Sequence, residues 1–163
     1  MNLTKKQVGA LLKVVSADDT RPVIETLYIT ERDGTPVAVA TDGFKAAILD
    51  APELKSVVGK CVKWVELIKW YKLAGMRDLL DDTAILTMVS ELDGVYPDIF
   101  KQIPTVDPSP MSAISVNPNY LVTMEVLSAD NSLVWNVYGN GAPMVTTSEV
   151  GTLVVMPLRM RNV

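Results

Sequence analysis

Histidine is absent from the chain. Its absence removes Ser-His-Asp triads, Cys-His pairs and His-ligated zinc or iron together, and with them most familiar enzyme constellations. Cysteine occurs once, at Cys61, so no disulfide can close within the chain. The residue reads as a small buried apolar side chain in a reducing compartment. No apolar run approaches the roughly 18–20 residues of a membrane span, and the opening Met-Asn-Leu-Thr-Lys-Lys lacks the apolar core of a signal peptide. A cytoplasmic protein with no membrane partner is expected. Positive charge is also in deficit, 15 Lys and Arg against 19 Asp and Glu for a net charge of −4. That balance argues against bulk attraction to nucleic acid and leaves only local basic clusters to be read.

Apolar residues make up 48% of the 163 positions and charged residues 21%, the balance of a folded globular protein long enough to bury its own core without metals or disulfides. No cofactor is expected. The chain reads as three units of roughly fifty residues, each an amphipathic helix followed by strand-like runs. In the first, Thr4 is an N-cap, and Val8, Leu11, Leu12 and Val15 form one apolar helix face with Lys6 and Lys13 opposite. Extended runs at Val23 to Thr30 and Thr35 to Asp42 flank the hairpin turn Arg32-Asp33-Gly34. The second unit starts near Lys60 with a helix through Trp64, Val65, Ile68 and Tyr71, stopped by Gly75, on whose polar side Trp70 and Leu73 intrude. Thr83 to Val89 reads as a strand. Pro104, Pro108 and Pro110 mark a connector, which divides the chain into 1–104, a linker at 105–111, and 112–163. In the third unit, Asn117-Pro118 starts a helix through Leu121, Met124 and Leu127. Strands follow at Ser132 to Tyr138, Met144 to Thr147 and Leu153 to Leu158, with a turn at Gly139-Asn140-Gly141.

Carboxylates occur at Asp18-Asp19, Asp42, Asp81-Asp82 and Asp93, a set that could in principle hold magnesium. All lie at turns or helix ends, where aspartate serves local hydrogen bonding. No catalytic role is expected of them. The basic residues are more suggestive. Lys60, Lys63, Lys69, Lys72 and Arg77 face only Glu66 within 60–77; with Lys5, Lys6 and Lys13 they form helix faces able to track phosphates by counterion release. The same lysines also fit ordinary solvated helix faces.

Three segments stand out in order: Ala-Thr-Asp-Gly-Phe-Lys (Ala40 to Lys45), Val-Tyr-Pro-Asp-Ile-Phe-Lys-Gln-Ile-Pro (Val95 to Pro104) and Leu-Val-Val-Met-Pro-Leu-Arg-Met (Leu153 to Met160). Together they resemble the bacterial sliding clamp, the beta subunit of DNA polymerase III. That family closes on a Met-Pro-Met-Arg-Leu-like tail and carries Ala-Thr-Asp-Gly-His-Arg-like and Phe-Pro-Asp-Tyr-Arg-Arg-like segments in its middle domain. The resemblance implies an α+β, DNA-clamp-like fold of repeated units, helices on one face of antiparallel sheets. Residues 1–104 are similar to the middle domain and 112–160 to the second half of the last domain. Nothing is similar to the first domain, and the second unit is about one strand short. Clamps are not enzymes. They bind peptides of replicative polymerases, loaders and repair proteins, and they encircle double-stranded DNA without regard to sequence. A compact chain of this length has a radius of gyration of about 15 Å, so one copy cannot enclose a duplex and a homo-oligomer is expected.

The resemblance also implies a peptide pocket. Thr41, Gly43, Phe44, Lys45 and Ala46 fall on one wall with Pro97, Lys101 and Gln102; Val154, Met156, Pro157, Leu158, Arg159 and Met160 fall on the other. The DNA-facing set is Lys5, Lys6, Lys13, Lys63, Lys69 and Lys72. Phe44 stands where the family has a polar or basic residue, Ala46 where it has leucine, and Gln102 where it has an aliphatic residue. Arg161-Asn162-Val163 extend past the family's usual end. Two functions remain open: a processivity clamp assembled around DNA, or a clamp-derived module that captures the same peptides without a ring.

Overall fold

The computed structural model describes residues 2–16, 20–91, 94–108, 114–121, 133–139 and 141–158. The chain opens with a short strand β1 (Leu3–Thr4) and helix α1 (Lys5–Val14). Thr4 forms a capping box with Gln7: its hydroxyl accepts from the Gln7 amide while the Gln7 side chain accepts from the Thr4 amide. Val8, Leu11 and Val14 are wholly buried on one face of α1, as the apolar spacing predicts.

A seven-stranded antiparallel sheet forms the body. Its strands are β2 (Thr26–Arg32), β3 (Thr35–Thr41), β4 (Lys45–Asp50), β5 (Cys61–Lys63), β7 (Val89–Ser90), β8 (Met144–Ser148) and β9 (Gly151–Val155). Their spatial order is β7-β5-β2-β3-β4-β9-β8. A separate two-stranded pair joins β1 to β6 (Leu79–Leu80). Helices α2 (Trp64–Leu73), α3 (Asp82–Met88) and α4 (Pro118–Leu121) complete the element list among the described residues.

Strand periodicity sorts the central residues onto two buried faces. Ala38, Ala40, Ala47, Leu49, Leu153 and Val155 share one core with Leu11 of α1, Leu67 of α2 and Ile85 of α3. Val37, Val39, Ala46, Ile48, Val145 and Val154 face the other way, under Tyr96 and Ile99. Helices thus cover one side, and the segment around 95–102 covers the other. The β4–β9 ladder runs from Lys45↔Val155 to Leu49↔Gly151, so residues on either side of the proline-rich segment meet in one sheet.

Several elements differ from their sequence reading. Thr83 to Val89 is helical up to Met88 rather than a strand, because the Asp81 carboxylate caps the first turn by accepting from the Ala84 amide. Only Val89–Ser90 pair, against β5. Strand β4 was not read at all, and the helix placed near Lys60 begins at Trp64 after β5. Residues 22–25 form a 3-10 turn instead of the start of a strand. The last ladder ends at Val155 rather than Leu158. Of the run 133–138 only Asn136 bridges, to Val145. Met124 and Leu127 lie outside the described residues, as do Asp18, Asp19 and Asp93. No helix among the described residues is long and apolar enough to cross a membrane.

Candidate functional site

A cavity of about 630 Å³ opens on the sheet face opposite the helices, within the range of small-ligand sites. It sits where β4 and β9 leave the sheet. Thr41, Gly43, Phe44, Lys45 and Ala46 line it from one side, Val154 and Met156 from β9, and Pro97 and Gln102 from the 95–102 segment.

The 41–46 wall is set by local hydrogen bonds. Asp42 accepts from the amides of Phe44 (2.8 Å) and Lys45 (2.9 Å), and the Thr41 hydroxyl donates to the Lys45 carbonyl at 2.8 Å while accepting from the Gly43 amide. Gly43 adopts φ of +88°, a left-handed conformation that suits glycine. The Lys45 ammonium pairs with Asp42 at 2.5 Å and lies 5.0 Å from the Tyr120 ring of α4, so its charge is spent on holding the wall. Asp42 and Asp81, two of the carboxylates weighed for magnesium, are thus engaged with backbone amides. No group of three metal-ligating side chains occurs among the described residues.

The opposite wall is anchored by Tyr96. Its ring stacks on Tyr28 with centroids 4.8 Å apart, and its hydroxyl donates to the Val39 carbonyl at 3.3 Å. Burial pushes the Tyr96 phenol well above its ordinary pKa, with a smaller push in the same direction from Cys61, so the hydroxyl stays protonated. Pro97 and Asp98 follow at the surface, and Asp98 caps the 3-10 turn Ile99–Gln102. Hydrogen bonding to Lys101 holds the Asp98 carboxyl below its usual pKa.

Of the residues placed in the pocket by sequence, Lys101, Pro157 and Leu158 are not among the lining residues. Lys101 turns to Asp98 at 3.1 Å, and the Leu158 amide donates to the Ser115 carbonyl. Arg159 and Met160 lie outside the described residues. The sequence reading missed the segment Thr20, Arg21, Pro22, Val23 and Ile24, and also Val95, Asp98 and Ile99, all of which line the cavity. Arg21-Pro22 carried a turn signal, but nothing local says that the 3-10 turn after it folds beside the 41–46 wall. Ser16 makes that link, its amide donating to the carbonyls of Ile24 and Thr41.

The lysines lie on the helix-bearing side. Lys6, Lys13, Lys63, Lys69 and Lys72 are exposed. Lys5 is committed elsewhere: its ammonium donates to the Ala74 carbonyl at the end of α2 and lies 5.1 Å from the Tyr71 ring, a C-terminal capping role. Lys69 pairs with Glu66 at 2.7 Å. The described part of α4 carries no basic residue.

With helices on one side of an antiparallel sheet and a peptide-sized cavity on the other, the fold is that of a bacterial sliding clamp. Three solved structures illustrate it. The chain aligns with the Caulobacter crescentus beta clamp bearing polyethylene glycol at its beta-motif tethering region, at 17% identity and a TM-score of 0.67, covering 98% of this chain and 65% of that one. It aligns with the Bacillus subtilis DNA polymerase sliding clamp at 13% identity and a TM-score of 0.70, covering 99% and 64%. The Borrelia burgdorferi DNA polymerase III beta subunit in complex with a natural product aligns at 11% identity and a TM-score of 0.68, covering 99% and 64%. The chain therefore spans just under two thirds of these clamps. No protein-family model matches the sequence, and no curated protein matches it.

Proposed function

We propose that this protein is a shortened, sliding-clamp-like replication factor that captures short linear peptides of polymerase, loader and repair proteins in the 630 Å³ cavity. The observation that carries the reading is the meeting of three sequence-distant segments, 41–46, 95–102 and 154–156, around one apolar cavity on the sheet face away from the helices. Met156 gives that cavity a deformable wall, since a thioether repacks around anchors of different shape. The parts 1–104 and 112–163, joined by the connector 105–111, supply its two sides.

The helix-bearing side carries the exposed lysines at positions 6, 13, 63, 69 and 72, the arrangement a sequence-independent DNA contact needs. A single chain is too small to encircle a duplex, so processivity in this reading requires a homo-oligomer. The protein acts as a scaffold, not as an enzyme. Nuclear magnetic resonance titration with a leucine-containing peptide tests the peptide site: amide shifts should concentrate at 41–46 and 153–156, and shifts confined to the lysine-bearing helices would overturn it. Light scattering tests assembly. A monodisperse monomer at tens of micromolar would remove the ring and leave a peptide-capturing module.

A further inference from the structure

The cavity mouth carries two large apolar side chains left in solvent: Phe44 is 53% exposed and Val95 is 91% exposed. Both line the cavity, and they come from different walls, Phe44 from the turn between β3 and β4 and Val95 from the segment pinned by Tyr96. Exposed apolar groups rimming a cavity that already has an apolar floor extend its binding surface outward.

Phe44 is also fixed before anything binds. Its amide donates to the Asp42 carboxylate at 2.8 Å, and its carbonyl accepts from the Met156 amide at 2.8 Å. Val95 precedes Tyr96, whose ring and hydroxyl are both engaged. A pre-organised backbone on both sides lowers the ordering cost of covering these side chains.

We propose that Phe44 and Val95 form a specificity lip, which favours, among peptides with an apolar anchor in the cavity, those bearing an aromatic side chain next to that anchor. A flat ring buries surface against Phe44 and Val95 together and gains an aromatic pair with Phe44; an alanine at that position leaves both lip residues in water. The proposal deepens the peptide-binding reading and rests on it.

The test uses the full chain and two short peptides in identical Gly-Ser flanks, Leu-Leu-Phe and Leu-Leu-Ala, titrated by fluorescence anisotropy. The parent should prefer the phenylalanine peptide by roughly fivefold or more, the scale of an aromatic pair plus its buried area. The ratio of the two affinities is the readout. Phe44→Ala and Val95→Ala should each bring it toward one, while Val134→Ala, an exposed apolar residue outside the cavity lining, should leave it as in the parent. Melting curves confirm that each variant is folded. A ratio near one in the parent, or a preference that survives both lip variants, overturns the lip while peptide binding stands. Binding of neither peptide to folded parent protein overturns both readings.

Discussion

The backbone amide of Met156 donates to the carbonyl of Phe44 at 2.8 Å, one residue beyond the last paired position of the β4–β9 ladder, Lys45↔Val155. This bond carries the ladder out to the cavity and fixes the distance between its two walls. A lining side chain and a structural hydrogen bond thus sit on the same residue, and substitutions can separate them.

Met156→Ala keeps the amide and removes the thioether; Met156→Pro removes the donor as well. Both should weaken peptide binding. Only the proline variant should also lose the ladder's last bond, for a further cost of about 1 kcal/mol. Thermal melting beside a peptide titration separates the two effects. Equal melting temperatures for the two variants would show that the Phe44–Met156 bond contributes nothing.

Gly151→Ala should be among the most damaging single substitutions. Gly151 has φ of +153°, and a Cβ there would lie 2.2 Å from the Ile48 carbonyl oxygen and 2.8 Å from the Leu49 Cα. Both obstacles are backbone, so no side-chain rotation relieves them. A loss of about 3 kcal/mol or more is expected, a large share of an ordinary domain's stability. Urea denaturation measures it, and a midpoint unchanged from the parent would contradict the β4–β9 register.

Much of the cavity was legible because the motif residues Thr41 to Ala46, Pro97 and Gln102, and Val154 and Met156 carry it directly. The Thr4 cap, the Asp33-Gly34 hairpin and the connector prolines were equally local signals. What was missed depends on tertiary structure. Lys45 to Asp50 follows a turn built by Asp42, and its small residues Ala46 and Ala47 hid a strand buried on both faces. Thr83 to Val89 has strand-like composition, yet the Asp81 cap starts a helix there. The 20–24 wall reaches the cavity only through long-range bonds from Ser16, which no periodicity reports.

Alkaline pH should destabilise the protein earlier than acid chemistry alone would lead one to expect. Burial raises both the Cys61 thiol and the Tyr96 phenol above their ordinary values. For a group whose neutral form is favoured by folding, stability is retained below the unfolded pKa and lost as pH rises above it. The decline should begin near pH 8.5, where an unfolded cysteine ionises, and steepen past about 10 for tyrosine. Tyr96→Phe should flatten the steeper part. The same burial predicts that Cys61 resists thiol reagents until the protein unfolds; rapid labelling of the native chain would contradict its placement.

Duplex binding, measured by anisotropy at low salt, should be weak, insensitive to sequence and strongly reduced by added salt. Replacing Lys63, Lys69 and Lys72 with glutamate should abolish it without unfolding the chain. Lys5→Glu should act differently, lowering stability through loss of its bond to Ala74. A triple variant that still binds duplex like the parent would mark these lysines as ordinary surface.

The most direct test of the central claim is calorimetric titration of the full chain with a short leucine-rich peptide. The cavity account predicts saturable binding, weakened by Met156→Ala by roughly tenfold to over a hundredfold, the 1 to 3 kcal/mol expected for one anchor contact. Lys13→Ala, exposed on α1, should bind like the parent. No binding at high micromolar concentration by a folded parent protein, or equal affinity in the Met156→Ala variant, would contradict it.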